Sequence, residues 1–413
     1  MSETIKQTRL DNGLTILSEH VPYVRSLSAG ILVKTGSRYE SIEEAGITHF
    51  LEHMLFKGTA TRNSFKLAND IESRGGMINA GTSHEYTIYY VRGLDNELST
   101  ILDVLSDMII NPIFPAEELE KEKKVVIEEI KMYNDSPDDF VYEQLISQIF
   151  DKHPLGRPIL GYEETINEYS REKLYAYMSK FYSPNNMIVS VAGNVNHDEI
   201  VDLIQKQFGH LKAVDEFQKT DEIPAFTKDR VVLRKEIEQT HLVIGRRALS
   251  SNSDDRFKFL LMNMILGVGF SSRLYQNIRE KYGYCYSINT INQSFYDTGS
   301  FAVAAGTDEE YVDHLRELIF AEFKKMAETP VSFEELDSAK AKLNGMLLMG
   351  QESLNNRMNR MAKSEMYYGR YISLDEIEQN INKVTEEDIQ SFCQDFLNPD
   401  FYSETVLLPS ENE

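Results

Sequence analysis

Two stretches of this chain align without a gap: NEYSREKLYAYMSKFYSPN at 167–185 and NKVTEEDIQSFCQDFLNPD at 382–400. Ser170 meets Thr385 as N-cap candidates, and Glu172 meets Glu387 near the helix start. Leu174, Tyr177 and Phe181 meet Ile389, Phe392 and Phe396, an i, i+3, i+7 stripe that suits the core face of a helix. Pro184 meets Pro399 as the terminator. A second pair, PAEELEKEKKVVIEEI at 115–130 and SFEELDSAKAKLNGML at 332–347, keeps nearly the same separation. A duplicated unit of about 200 residues explains both pairs and excludes a single continuous core.

Each half opens on strand-like text. GLTILSEHV, SLSAGILVKTG and TIYYVRG read as strands in the first half, THLVIGRRAL and GSFAVAAGT in the second. Long helical patterns follow at 97–110, 116–134 and 170–182. Strands mixed with long helices, without regular βαβ alternation, predict an α+β fold: two related halves, each a mainly antiparallel sheet packed with helices. The expected division is 1–212, a polar linker at 213–230, and 231–413.

A net charge of −23 argues against nucleic acid as a partner, since phosphate recognition needs clustered Lys and Arg. The same charge favours cationic peptides. Cys285 and Cys393 form no C-x-x-C pair and read as free thiols of a reducing compartment. No apolar run suits a signal core or a membrane span, so the expected location is the cytoplasm, with no membrane partner.

The chemistry concentrates in GITHFLEHMLFKGT at 46–59. On a helix His49 and His53 stand one turn apart on one face, with Glu52 beside them, an H-x-x-E-H pattern suited to Zn²⁺ with a carboxylate base at hand. Ile47, Phe50, Leu51, Met54 and Leu55 supply the apolar face. Two histidines leave such a site short of a ligand. The helix at 116–134 offers Glu122, Val125, Val126 and Glu129 at i, i+3, i+4 and i+7, although EELEKEKK also reads as an ordinary solvated helix.

HFLEHMLFKGT, followed 76 positions after His53 by a Glu in VVIEEI, resembles the pitrilysin-type zinc peptidases, especially their short bacterial and processing-peptidase-like members. The resemblance covers nearly the whole chain. It implies one Zn²⁺ per chain held by His49, His53 and Glu129, Glu52 as general base, and Glu122 as a carboxylate orienting a ligand. Glu128, about 100° away on the helix, is the weaker candidate. GGMINAGTSHEYTIYYV at 75–91 resembles the family's edge strand, where Asn79 and Ala80 would bond an extended peptide. IREKYGYCYSI at 278–288 resembles the segment whose Arg and Tyr reach the peptide, here Arg279 and Tyr286. Gly267 and Gly269 lack a Gly-Lys-Ser/Thr ending and read as a turn rather than a phosphate loop. The second copy carries Met346 opposite Glu129 and Ala339 opposite Glu122, so only the first half is expected to bind metal.

The implied activity is endopeptidase action on unfolded peptides in an enclosed chamber. Family members with four such units form a closed clamshell, so a chain with two implies a homodimer. The alternative is a non-catalytic partner subunit, which the presence of the complete ligand set on one chain argues against.

Overall fold

A computed structural model describes residues 5–214 and 222–410; residues 215–221, within the expected linker, lie outside the described residues. Two sheets organise the chain. The first contains β1 (Ile5–Arg9), β2 (Thr15–His20), β3 (Ser26–Val33), β4 (Met77–Thr82), β5 (Thr87–Leu94) and β6 (Met187–Gly193), in the order β1-β2-β6-β3-β5-β4. The second contains β7 (Arg230–Lys235), β8 (Thr240–Ala248), β9 (Cys285–Ser294), β10 (Gly299–Thr307) and β11 (Ser403–Pro409), in the order β7-β11-β8-β10-β9. Only β2 with β6 and β7 with β11 run parallel among the described pairs, so both sheets are mainly antiparallel, as the strand text predicts. The five strands expected from the sequence correspond to β2, β3, β5, β8 and β10.

The repeated helices form as their spacing requires. Arg171–Phe181 starts on Ser170, whose side chain accepts from the Lys173 N–H, and it buries Leu174, Tyr177 and Phe181. Glu386–Phe396 starts on Thr385 with a reciprocal bond to Asp388, and it buries Ile389 and Phe396. A Ser or Thr oxygen satisfies a first-turn N–H that has no partner within the helix.

The compact units are not contiguous in sequence. Unit 1 draws on the chain up to Lys131, from Arg157 to the linker, and on Met349–Tyr371; unit 2 takes Met132–Gly156, the chain from the linker to Leu348, and Ile372 onward. Each sheet is therefore covered on one face by a helix from the other half of the sequence. In unit 1 the helix Leu354–Tyr368 brings Met358, Met361 and Ala362 against Leu17, Leu32 and Ile188. In unit 2 the helix Pro137–Phe150 brings Val141, Leu145 and Ile149 against Val243, Ala302 and Leu407. A glycine marks each contact. A Cβ on Gly30 of β3 would meet Met358 Sδ at 2.7 Å, and one on Gly245 of β8 would meet Leu145 Cδ2 at 2.7 Å. Strands buried on both faces lose polar alternation, and β3 and β6 read as nearly continuous buried runs.

Among the described residues no helix is long and apolar enough to cross a membrane.

Candidate metal centre

The helix Ile47–Leu55 has no side-chain cap at its start; Gly46 stands there at φ 92°. A carboxylate from outside the helix does the capping. Glu40 accepts the N–H groups of Gly46 at 2.8 Å and Thr48 at 2.9 Å, and negative charge at a helix N-terminus is favourable. Burial nevertheless dominates, pushing the Glu40 carboxyl up to about 7 against the pull of those bonds. Thr48 Oγ1 lies 2.6 Å from the Tyr177 hydroxyl, which also meets Thr35 Oγ1 at 2.9 Å. Ile47, Phe50, Leu51, Met54 and Leu55 are all buried. The rotation of the helix is thus fixed from both its start and its apolar side.

That rotation turns His49 and His53 to one side, with ring centroids 4.5 Å apart. The helix Ala116–Asp135 brings Glu129 to them: its Oε2 is 3.8 Å from His49 Nε2 and 3.7 Å from His53 Nε2. The three donor atoms lie within 4.8 Å of one another. These separations are too long for hydrogen bonds, so the donors converge without satisfying each other. His49 Nδ1 is also buried without a hydrogen-bond partner. Tetrahedral zinc with ligands at about 2.0–2.1 Å sets its donors about 3.3 Å apart, so small side-chain adjustments would seat an ion here. Two imidazoles and one carboxylate are a donor set that suits Zn²⁺, and the residues fit the group.

The protonation of the imidazoles follows from their surroundings. Burial pushes His49 down to about 3, with the neighbouring His53 adding to the effect, so it stays neutral with a lone pair to give. Burial opposes charge on His53 too, but the hydrogen bond to Glu122 and the nearby carboxylates outweigh it and raise its pKa. His53 Nδ1 lies 2.8 Å from Glu122 Oε1. A carboxylate can only accept, so Nδ1 carries the proton and Nε2 is left facing Glu129 and His49. Glu122 Oε2 meets Lys57 Nζ at 2.6 Å. Desolvation would raise the Glu122 carboxyl, yet His53 and Lys57 together hold it below its usual range. Replacing Glu122 by Gln should therefore weaken zinc binding about 10–100-fold, read by chelator competition. Unchanged affinity would remove Glu122 from the centre.

One part of the helix differs from its sequence reading. Val125 is 50% exposed, whereas Val126 is fully buried, so the inward stripe is Glu122, Val126 and Glu129 without Val125. The i+3 position falls just outside the packed side. Glu128 points to solvent and pairs with Lys131 at 2.8 Å.

Glu52 is held by a residue the sequence reading did not single out. Thr82 Oγ1 donates to Glu52 Oε2 at 2.5 Å. Burial raises the Glu52 carboxyl, with the Thr82 bond opposing it. Thr82 ends β4, the outermost strand of its sheet, and shares a strand face with Ala80 and Ile78 by the two-residue period. That period was the available signal: Thr82 is two positions from Ala80. Asn79 is exposed, and its side-chain oxygen takes the Ala80 N–H at 2.8 Å. Arg279 and Tyr286 belong to unit 2. There Arg279 Nε donates to the Tyr286 carbonyl at 2.8 Å.

Comparison with known proteins shows the family of the chain. Residues 15–163 match the family model described as Insulinase (Peptidase family M16), and residues 168–343 match Peptidase M16 inactive domain. A protein of Bacillus subtilis (strain 168) named as an uncharacterized zinc protease is 37% identical over 99% of both chains. A similarly named protein of Rickettsia felis is 38% identical over 94% of both chains. A solved structure titled as a protease from Helicobacter pylori superimposes with a TM-score of 0.91 at 22% identity, covering 99% of this chain and 100% of that one. A structure from Pseudomonas fluorescens, titled as a peptidase M16 inactive domain, gives 0.90 at 18% identity over 99% of both; these two likenesses speak for the fold. Sequence identity at this level over the full length, together with the two matched domains, means that the chain belongs to the pitrilysin-type peptidase family, M16, which includes short bacterial members.

Proposed function

We propose that this chain is a zinc-dependent endopeptidase acting on unfolded peptides. The observation that carries the reading is the convergence of His49, His53 and Glu129 with the Glu52 carboxylate beside them. His49, His53 and Glu129 would hold the ion, with Glu122 orienting His53. What such an ion supplies when bound is Lewis acidity toward a water and a peptide carbonyl. Glu52 takes the proton of the attacking water and passes it to the leaving amine, so that the C–N bond breaks to give a free acid and a free amine.

The peptide lies as an added strand on the outer edge of β4, near Asn79 and Ala80, where backbone pairing tolerates varied side chains. Thr82, on the same strand, fixes the base. Arg279 and Tyr286 of unit 2 are the proposed further contacts to the peptide. The net charge of −23 favours basic peptides. A cytoplasmic homodimer is the proposed working form. The non-catalytic alternative rests on the second half, which the inactive-domain model covers and which lacks the ligands; it does not account for the four residues converging in the first half.

The test measures zinc content and cleavage of a basic unfolded peptide together, with chelator controls. Glu52→Gln should keep zinc while cleavage falls about 10²–10⁴-fold, the usual range for removing a general base. Zinc retained with undiminished cleavage would take the base role from Glu52. No zinc in well-folded wild type would end the metallopeptidase reading.

A further inference from the structure

Away from the metal centre, unit 1 buries an ion pair. Arg38 Nη1 donates to Glu85 Oε1 at 2.6 Å, and both side chains are buried. The other Glu85 oxygen, Oε2, accepts the Tyr367 hydroxyl at 2.9 Å. Burial, with the Glu85 charge adding to it, pushes the pKa of that hydroxyl up, so Tyr367 keeps its proton and donates it. Such a pair gives little net stability, because the cost of desolvating two charges offsets their attraction. Its position in the chain suggests a different use.

Glu85 stands in the turn between β4 and β5, three residues after Thr82. The segment from Thr35 to Arg38 lies along this turn, backbone against backbone. Ser37 N–H donates to the Ser83 carbonyl at 3.3 Å and Arg38 N–H to the His84 carbonyl at 2.8 Å. A Cβ on Gly36 would stand 2.1 Å from the Ser83 carbonyl oxygen. Side chains add to the grip: Ser37 Oγ lies 2.8 Å from His84 Nδ1, and Thr87 Oγ1 donates to the Thr35 carbonyl at 3.0 Å. The helix Leu354–Tyr368 contributes Tyr367 and also Lys363, whose Nζ lies 4.7 Å from the centre of the Tyr86 ring.

The same segment reaches the helix of the metal centre. Glu40, two residues after Arg38, accepts the Gly46 and Thr48 N–H groups. The run 36–40 therefore holds the turn that follows β4 at one end and the start of the Glu52 helix at the other. The bond from Thr82 to Glu52, 2.5 Å long, spans those two elements. Hydrogen bonds weaken steeply as their geometry is lost, so Thr82 holds Glu52 only while strand and helix keep this spacing.

We propose that Glu85 is a positioning residue for the reaction: gripped by Arg38 and Tyr367, it fixes the end of β4 so that Thr82 keeps its bond to Glu52. A helix encoded in the second half of the sequence thereby supports the base in the first. This rests on the reading of Glu52 as the base, and the experiment separates the two.

The test measures kcat and KM for cleavage of a basic unfolded peptide by the zinc-loaded full chain, in a double-mutant cycle of Tyr367→Phe and Thr82→Val. Thr82→Val should lower kcat on the order of tenfold, the effect of one hydrogen bond to a charged group. Tyr367→Phe removes a single hydroxyl and should lower kcat roughly threefold to tenfold, with KM within about twofold and zinc content unchanged. The double mutant should match Thr82→Val alone within about twofold, because the two residues act on one bond. Glu85→Gln, which leaves Arg38 without its counter-charge, should lower kcat further and show the same non-additivity; if it fails to fold, Tyr367→Phe carries the test. Additive losses in kcat would overturn the proposal, as would a loss confined to KM or to the unfolding temperature. An unchanged kcat in Thr82→Val would overturn it too, while leaving Glu52 as base. Undiminished cleavage by Glu52→Gln would overturn the underlying reading instead.

Discussion

Glu129→Gln should strip the chain of zinc at ordinary working concentrations and take cleavage with it, while Glu128→Gln next to it should leave both near wild type. The two carboxylates are adjacent in sequence and differ only in direction. Glu129 Oε2 stands 3.7–3.8 Å from both imidazole Nε2 atoms. Glu128 has a 73% exposed side chain and pairs with Lys131 in solvent, where an ion pair contributes little. Gln keeps the size of Glu129 but is neutral, so the change removes a ligand charge and little packing. Loss of a carboxylate that merely orients a ligand costs about 10–100-fold in metal affinity, and loss of a direct ligand should exceed the upper figure. Zinc content after dialysis, with peptide cleavage on the same samples, measures this. Zinc retained by Glu129→Gln, or lost by Glu128→Gln, would show that the third donor has been assigned to the wrong residue.

How much of this centre could be read beforehand depends on distance along the chain. His49, Glu52 and His53 are legible because helix geometry alone puts i and i+4 on one face. Glu129 is less so: spacing offers Glu122 and Glu129 on one helix face, but in a run of Glu and Lys that also reads as a solvated surface, and the resemblance decided between the two. The structure supplies the missing physics: Glu122 is 5% exposed, and both its oxygens are engaged. The repeated helices were legible from their caps and stripes. The sheets each helix covers were not, because Leu354–Tyr368 encodes an apolar face without saying which sheet meets it. The mid-strand glycines Gly30 and Gly245 were the available signal, since a strand interior gives up a side chain only where something approaches closely. In β9 the clue was Cys285 and Ile288 spaced by three, a break in alternation that hides a strand from a period-two search.

Gly46→Ala should cost about 2–4 kcal/mol, roughly 1 from the positive φ and the rest from overpacking, and the protein that still folds should hold less zinc. Gly46 adopts φ 92° immediately before the His49 helix. A Cβ there would stand 2.4 Å from the Leu160 carbonyl oxygen and 2.8 Å from the Gly161 Cα. The backbone opposite cannot retreat freely, because Gly161 is also at positive φ and packs in turn against Ala45 and Gly46. Tyr169 further pins the turn by donating to the Ala45 carbonyl at 2.6 Å. Relief must then come from the start of the helix itself, where Glu40 holds the Gly46 and Thr48 N–H groups. A shift there rotates His49, one residue further on, away from Glu129. Gly75→Ala isolates the conformational part, since Gly75 is at φ 76° with nothing within 4 Å of an added Cβ; it should cost only about 1 kcal/mol and leave zinc binding intact. Urea denaturation of both variants, with and without zinc, gives the comparison. If Gly46→Ala proves as mild as Gly75→Ala and binds zinc normally, the turn before the helix does not set the histidine geometry, and the apolar face alone must do so.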